Sequence, residues 1–287
     1  MSESDKTEEQ TTKKRSRKSF QAEMSFLDHL EELRWHIIRS ALAIFVFAIV
    51  AFIMKNFIFD TVILHPRMPD FWTNRMLAKL GDLVGSDSLK INQIPLHLIS
   101  IKIAGQFSTH IWVSIIAGFI LASPLVFYEF WRFIKPALYE KEQKVATGAV
   151  FYTSLLFILG ILFGYYLIVP LSINFLGTYN VSKEVANQIN LISYISSVTS
   201  IVLASGVVFL VPIFSFFLSK VGLLTPQFMK SYRRHAYVVM ALLAAIITPP
   251  DVFSQILVCL PLILLYELGI LISRRVVKKR EKEMNEL

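Results

Sequence analysis

The chain has 287 residues, 54% of them hydrophobic and only 17% charged, with a mean hydropathy of +0.56. A soluble domain of this length carries nearer a quarter charged residues, so the composition points away from a soluble protein and toward a polytopic membrane protein. The net charge of +8 does not signal nucleic acid, because Lys and Arg lie between apolar runs and at the two ends, as membrane topology places them.

Residues 1–24 mix Glu3, Asp5, Glu8 and Glu9 with Lys13, Lys14, Arg15, Arg17 and Lys18, and read as a disordered cytoplasmic tail. No apolar stretch follows directly, as a cleaved signal requires, and the acids argue against a transit peptide. Ser25 and Asp28 form an S-x-x-D capping box, so a helix is expected to begin near residue 25. Glu31 can pair with Arg34 at i,i+3, and Glu32 with His36 at i,i+4. Trp35 suits a membrane interface. The first apolar run covers residues 37–54 and stays as an anchor. Charges this close to its mouth are either anchors or a site, and these residues alone leave both readings open.

Residues 56–105, with Pro66, Pro69, Gly81, Gly85 and Pro95, form a long extracytoplasmic loop that is expected to be partly helical. The second apolar run covers residues 106–127. The connector at 123–144 is rich in aromatics, and Pro124 and Pro136 are expected to break the helices there. Glu129, Glu140 and Glu142 stand in it among Arg132, Lys135 and Lys141. Local ion pairing in a solvated loop would explain these acids and contribute little. The third run, 145–169, contains "GILFG" from Gly160 to Gly164, a small-xxx-small pattern read as helix packing.

The fourth run covers 195–218, the short fifth 236–248 and the sixth 252–272. The last two are joined by "TPPD", residues 248–251, whose prolines cannot continue a helix. A span as short as the fifth must stop within one leaflet or thin the bilayer. Gln255 and Glu267 lie in the last run. A carboxylate inside a span is a functional candidate, although Glu267 could also snorkel or pair with Arg274. Residues 276–287 form a basic cytoplasmic tail.

Lys and Arg fall on alternate connections. They crowd the N-terminal segment, the second-to-third loop, the fourth-to-fifth loop and the C-terminal tail. The opposite side has Lys55, Arg67, Arg75, Lys79, Lys90 and Lys102 in its long first loop, only Lys183 in the next, and none in "TPPD". The pattern predicts an all-α integral membrane protein with six transmembrane helices and both termini cytoplasmic.

No catalytic pattern emerges. Glycine-rich phosphate loops and paired-histidine helix motifs are missing, and His29, His36, His65, His97, His110 and His235 lack ligand spacing. No enzyme, metal or cofactor is expected. Cys259 stands alone in an apolar run, which rules out a disulfide framework and suggests a buried packing residue. A secondary transporter or small-solute channel is the alternative class, but it predicts inverted repeats and a midplane polar site. No internal repeat is convincing.

Three stretches together carry a resemblance: "HLEELR" before the first run, "SPLVFYEFWRFIKPALYEKE" after the second, and "TPPDVFSQ" between the last two. Their order and spacing resemble the TatC family, the multi-spanning core subunit of the twin-arginine protein translocase. The match runs from Ser25 to about Arg275. The resemblance implies a glove-like, concave arrangement in the bacterial inner membrane. It also implies a receptor that recognises signal peptides bearing Arg-Arg, assembles with TatA- and TatB-type single-span subunits in an oligomeric complex, and exports folded proteins using the protonmotive force.

Carried over residue by residue, the resemblance assigns signal-peptide binding to Glu32 and Arg34, and to Glu142 with Phe133 and Pro136. It assigns partner-helix contact to Gln255, beside which Glu267 is a second intramembrane polar candidate. Two guanidinium groups are planar forks suited to carboxylates, and on that implication the acids at the span mouth are a site. The chain departs from the family pattern twice. His36 stands where arginine is usual, and Leu210, in "FLVP", stands where many members carry Glu or Gln.

Overall fold

The computed structural model describes residues 30–93, 96–134, 140–180, 182, 187–222, 224–247 and 252–285. The expected tail, the Ser25–Asp28 capping box, Pro136 and the "TPPD" turn lie outside them. Among the described residues, four stretches are long and apolar enough to cross a membrane: Leu30–Ile53, Gly105–Ile134, Gly148–Thr178 and Leu191–Lys220. The first is helix α1. The second is α3. The third joins α4 (Glu140–Phe163), a π-helical turn (Gly164–Ile168) and α5 (Val169–Thr178). The fourth joins α6 (Leu191–Val208) to α7 (Val211–Val221). A short α8 (Pro226–Ser231) leads to α9 (Arg233–Ile247) and α10 (Val252–Asn285). At 15 residues α9 is about 22 Å long, below the ~30 Å of a hydrocarbon core.

The long first connection is partly helical, as expected: it contains α2 (Trp72–Val84). Just before α3, β1 (Leu98–Ile99) pairs in parallel with β2 (Ile189–Asn190), a two-residue clip. Outside the spans, the Lys90 ammonium bridges Asp82 at 3.0 Å and Asp87 at 2.8 Å. Lys90 thereby holds the Asp87 carboxyl below its ordinary range, and the two acids raise the Lys90 ammonium above its own. The cluster is exposed to water, so it adds little to stability.

Contacts fix the direction of every long helix. α1 and α3 run antiparallel, since His36 meets Glu129, Ala48 meets Gly118, and Phe52 stacks on His110 at 4.0 Å. A Cβ on Gly118 would stand 2.6 Å from the Ala48 nitrogen, so only glycine permits this crossing. α3 and α4 are also antiparallel: Trp131 Nε1 donates to Thr153 Oγ1 at 3.1 Å, and Phe127 packs edge-on against Phe157. Gly160 and Gly164 bring α4 against Ser205 and Gly206 of α6, so "GILFG" is a packing motif as expected. α7 and α10 are parallel through Ser215–Gly269 and the buried Ser219–Ser273 hydrogen bond. α9 runs back along α10. The starts of α1, α4 and α9 and the ends of α3, α7 and α10 therefore share one end of the bundle. The core lies where α4, α5 and α6 meet, around Phe157, Ile168, Val169, Ile195 and Val198.

Pro124 does not break the helix. It lies inside α3, which continues ten residues beyond it to Ile134. Proline cannot donate to the carbonyl four residues back, here that of Ile120. The fully buried Ser123 hydroxyl donates to that carbonyl instead, at 2.8 Å. Pro170 poses the same problem for Tyr166, whose carbonyl accepts from the Thr73 hydroxyl of α2. The first connection is thereby tied to the α4–α5 junction. Buried amides complete the tie. Asn74 Nδ2 donates to the carbonyls of Pro66 and Met68, and Asn92 Nδ2 to that of Pro170. Asn92, at φ 50°, also donates its backbone N–H to Asn174, in the left-handed region that asparagine tolerates.

The Ser123 hydroxyl has a testable role. Ser123→Ala should destabilise the protein by about 1–3 kcal/mol, because the Ile120 carbonyl loses its donor. Adding Pro124→Ala should restore most of that loss by returning a backbone N–H. Thermal unfolding in detergent measures both, and equal losses in the single and double variants would refute the account.

Candidate functional site

At the shared end, the first turns of α1 face the last turns of α3. The i,i+4 spacing of a helix puts Glu32 and His36 on one face of α1, and the same spacing puts Glu129 and Phe133 on one face of α3. These faces meet. His36 Nδ1 lies 2.5 Å from Glu129 Oε2, and its Nε2 lies 3.9 Å from Glu32 Oε1. Phe133 packs edge-on to the imidazole with ring centres 5.9 Å apart. Arg39, one turn further along α1, stands 3.7 Å from the same Glu129 oxygen.

Burial ranks these groups. His36 is 5% exposed, the Glu129 side chain 13% and the Glu32 side chain 49%. A carboxylate as buried as Glu129 must be paired, and the imidazole is its close partner. At 2.5 Å the imidazole nitrogen and the carboxylate oxygen are within hydrogen-bond length. Nε2 faces Glu32, which remains open to water. The result is a strip of carboxylate, imidazole and carboxylate across two helices, with an aromatic ring beside it.

The other expected residues divide. Arg34 is exposed and lies two residues from Glu32, about 200° around the helix, away from the strip. The expected Glu31–Arg34 pair is not among the ion pairs of the described residues. Glu142 lies in the first turn of α4, whose start shares the same end, but its side chain is outside the described set, as is all of Pro136. Gln255 and Glu267 are twelve residues apart on α10, roughly 18 Å, and do not form one site. Gln255 Nε2 donates to the Ala241 carbonyl of α9 at 3.3 Å.

Glu267 pairs with α9 and not with Arg274. Its Oε2 accepts from Arg233 at 2.7 Å and its Oε1 from the Tyr237 hydroxyl at 2.6 Å. Arg274 follows Glu267 by seven residues on the same helix, whereas Arg233 comes from the neighbouring one. Leu210 is 7% exposed and belongs to the apolar core, so the departure from Glu or Gln is a packing residue. Cys259 packs against that core only half-buried. Among the described residues, no group of three or more His, Cys, Asp or Glu side chains could hold a metal.

Residues 28–261 match the family described as Sec-independent protein translocase protein (TatC). The chain belongs to the TatC family. It is 42% identical over 260 residues to TatC of Blattabacterium sp. subsp. Periplaneta americana (strain BPLAN), covering 90% of this chain and 98% of that one. It is 31% identical to TatCy of Bacillus subtilis (strain 168), covering 91% and 92%. Two crystal structures of the twin-arginine translocase receptor TatC are similar at 32% identity. One has a TM-score of 0.63, covering 87% of this chain and 99% of that one, and the other, in DDM, 0.67, covering 85% and 99%. TatC proteins are membrane-embedded components of the bacterial Tat system and transport proteins rather than catalyse a reaction.

The Glu129–His36 contact escaped sequence reasoning, which treated Glu129 as a solvated loop acid. A signal was present: Glu129 precedes the TatC-motif residue Phe133 by one helical turn, and His36 follows Glu32 by one. The first pair becomes visible once α3 is known to continue past Pro124, and the second is already legible within α1. Leu210 supplies a test of the packing assignment. Leu210→Glu should sharply lower membrane abundance, because it buries a carboxylate with no partner, whereas Leu210→Met should be near neutral. Normal abundance of Leu210→Glu would overturn the assignment.

Proposed function

We propose that this protein is the receptor and core subunit of a twin-arginine translocase. It recognises signal peptides bearing Arg-Arg, gathers TatA- and TatB-type single-span subunits into an oligomeric complex, and exports folded proteins using the protonmotive force. One observation carries this reading: Glu32, half-exposed, stands at the end of the bundle where α4 begins with Glu142 in its first turn. Two carboxylates at one membrane face suit two guanidinium groups. Charge-assisted hydrogen bonds of this kind contribute about 1.5–3 kcal/mol each. Glu32→Gln or Glu142→Gln should therefore weaken binding of an Arg-Arg precursor about tenfold to hundredfold and leave protein abundance unchanged. Precursor retention on membranes is the measurement, and wild-type retention in both variants would end the receptor reading.

Partner contact is assigned to Gln255. Its hydrogen bond to Ala241, the single one among the described residues, leaves an amide oxygen and a second N–H for a polar group on a neighbouring helix, and the short α9 beside it narrows the distance to be bridged. Proton coupling is assigned to the assembled complex.

The same reading sets the topology: six spans in a glove-like arrangement, with α9 and α10 completing the four longer ones and both termini cytoplasmic. The Lys and Arg crowded at the shared end support it. Cysteines placed at Ser86 and Ser231 in a Cys259→Ser background should behave oppositely toward an impermeant thiol reagent added outside intact cells. Ser86→Cys should react and Ser231→Cys should not. Reaction at both positions would overturn the six-span arrangement.

A further inference from the structure

The receptor reading leaves Glu129 and His36 without a role, yet they form the closest charged contact between α1 and α3. Both described contacts to Glu129, from His36 at 2.5 Å and Arg39 at 3.7 Å, fall on Oε2. Oε1 takes no partner among the described residues and is not among their sealed, unpartnered atoms. Glu129 also shares its helix face with Phe133, and its imidazole partner faces Glu32 on the other side. A half-open carboxylate therefore lies inside the constellation assigned to signal recognition, joined to Glu32 by a single imidazole.

We propose that Glu129 is a further guanidinium ligand of the arginine-pair site and that His36 is the resident cation an arriving arginine displaces. The proposal rests on the receptor reading. An arginine fork takes both oxygens of a carboxylate, and one oxygen of Glu129 is held by His36. Arg39 lies beyond hydrogen-bond length from that oxygen, so the imidazole is the group that must yield. Among the described residues, the charged groups facing this imidazole are Glu32 on α1 and Glu129 on α3, with Arg39 reaching Glu129 from α1. In the empty site an imidazolium at His36 would offset part of the negative charge of the two acids. When a guanidinium arrives, it replaces the imidazolium against Glu129 and His36 gives its extra proton to water. One positive charge enters and one leaves, so the charge of the strip is conserved.

The sign of the pH dependence follows. Where His36 is protonated in the empty protein, binding releases a proton, and affinity rises with pH by up to tenfold per unit. Once His36 is already neutral in the empty protein, affinity levels off. An arginine at position 36, the residue usual in the family, cannot give up its charge, so His36→Arg should bind more weakly and without this slope.

The test uses the full-length protein in detergent micelles, a synthetic peptide carrying consecutive Arg-Arg, and its Lys-Lys counterpart. Calorimetry in buffers of different ionisation enthalpy counts the protons released by the unmutated protein. Release approaching one proton per bound Arg-Arg peptide at low pH, falling to none at high pH, is expected. Glu129→Gln should weaken Arg-Arg binding about tenfold to hundredfold, the effect of a charge-assisted hydrogen bond, and Lys-Lys binding much less. His36→Gln should bind at the high-pH affinity of the wild type and show no slope. No proton release by the unmutated protein, or a slope that persists in His36→Gln, would overturn the displacement. Wild-type affinity in Glu129→Gln alongside weakened Glu32→Gln and Glu142→Gln would remove Glu129 from the site and leave the receptor reading standing. Wild-type affinity in all three would sink that reading itself.

Discussion

Hydrocarbon offers a backbone carbonyl no hydrogen bond, so a proline within a span leaves a carbonyl that a donor from elsewhere can satisfy. That constraint organises this protein. Ser123 answers it for Pro124 from the preceding residue, and Thr73 answers it for Pro170 from a separate helix. The first answer keeps α3 helical for ten more residues, which carry Glu129 and Phe133 past the apolar stretch to the mouth of α1. The second ties α2 to the α4–α5 junction. Both the candidate site and the opposite cap thus depend on a hydroxyl satisfying an orphaned carbonyl.

The two ends of the bundle solve the burial of polar groups differently. The end holding the first connection uses neutral amides: Asn74 and Asn92 are buried and reach backbone carbonyls or another asparagine. Neutral groups need only hydrogen bonds once desolvated, and these have them. The other end uses ionisable groups, Glu32, His36, Glu129 and Arg39, together with the Arg233–Glu267–Tyr237 cluster of α9 and α10. Ionisable groups are tolerable only when paired or near water, and both conditions hold at a bundle end. Between these ends, α1 and α3 approach as closely as backbones can at Ala48 and Gly118. The geometry at the mouth therefore inherits its precision from a tightly packed crossing below it.

Much of this was legible in the chain. The apolar runs located the long helices, and the short fifth run anticipated the 15-residue α9. "GILFG" announced the α4–α6 contact because small residues at four-residue spacing leave room for a neighbouring backbone. Glu32 and His36 were readable as a pair, since i,i+4 contacts within one helix need no knowledge of the fold. Pro124 was expected to break its helix, because the rule for proline counts the lost donor and cannot count a replacement. For Glu267 the sequence offered snorkelling or Arg274 as alternatives to a functional role, whereas its partner Arg233 precedes it by thirty-four residues.

The sequence by itself determined what depends on local spacing and on the solvent: a membrane-embedded all-α chain, the places where helices run, the packing motif of Gly160 and Gly164, and the motifs that mark the TatC family. Hydropathy and helical periodicity are properties of neighbouring residues, so they survive reading in one dimension. Tertiary structure alone decided that Glu129 meets His36 across 93 residues of chain and that Glu267 is clamped by α9. It also decided that the Tyr166 carbonyl takes its hydrogen bond from Thr73. Each of these is a choice of partner for a buried polar group, and such a group accepts whichever neighbour packing brings within about 3 Å.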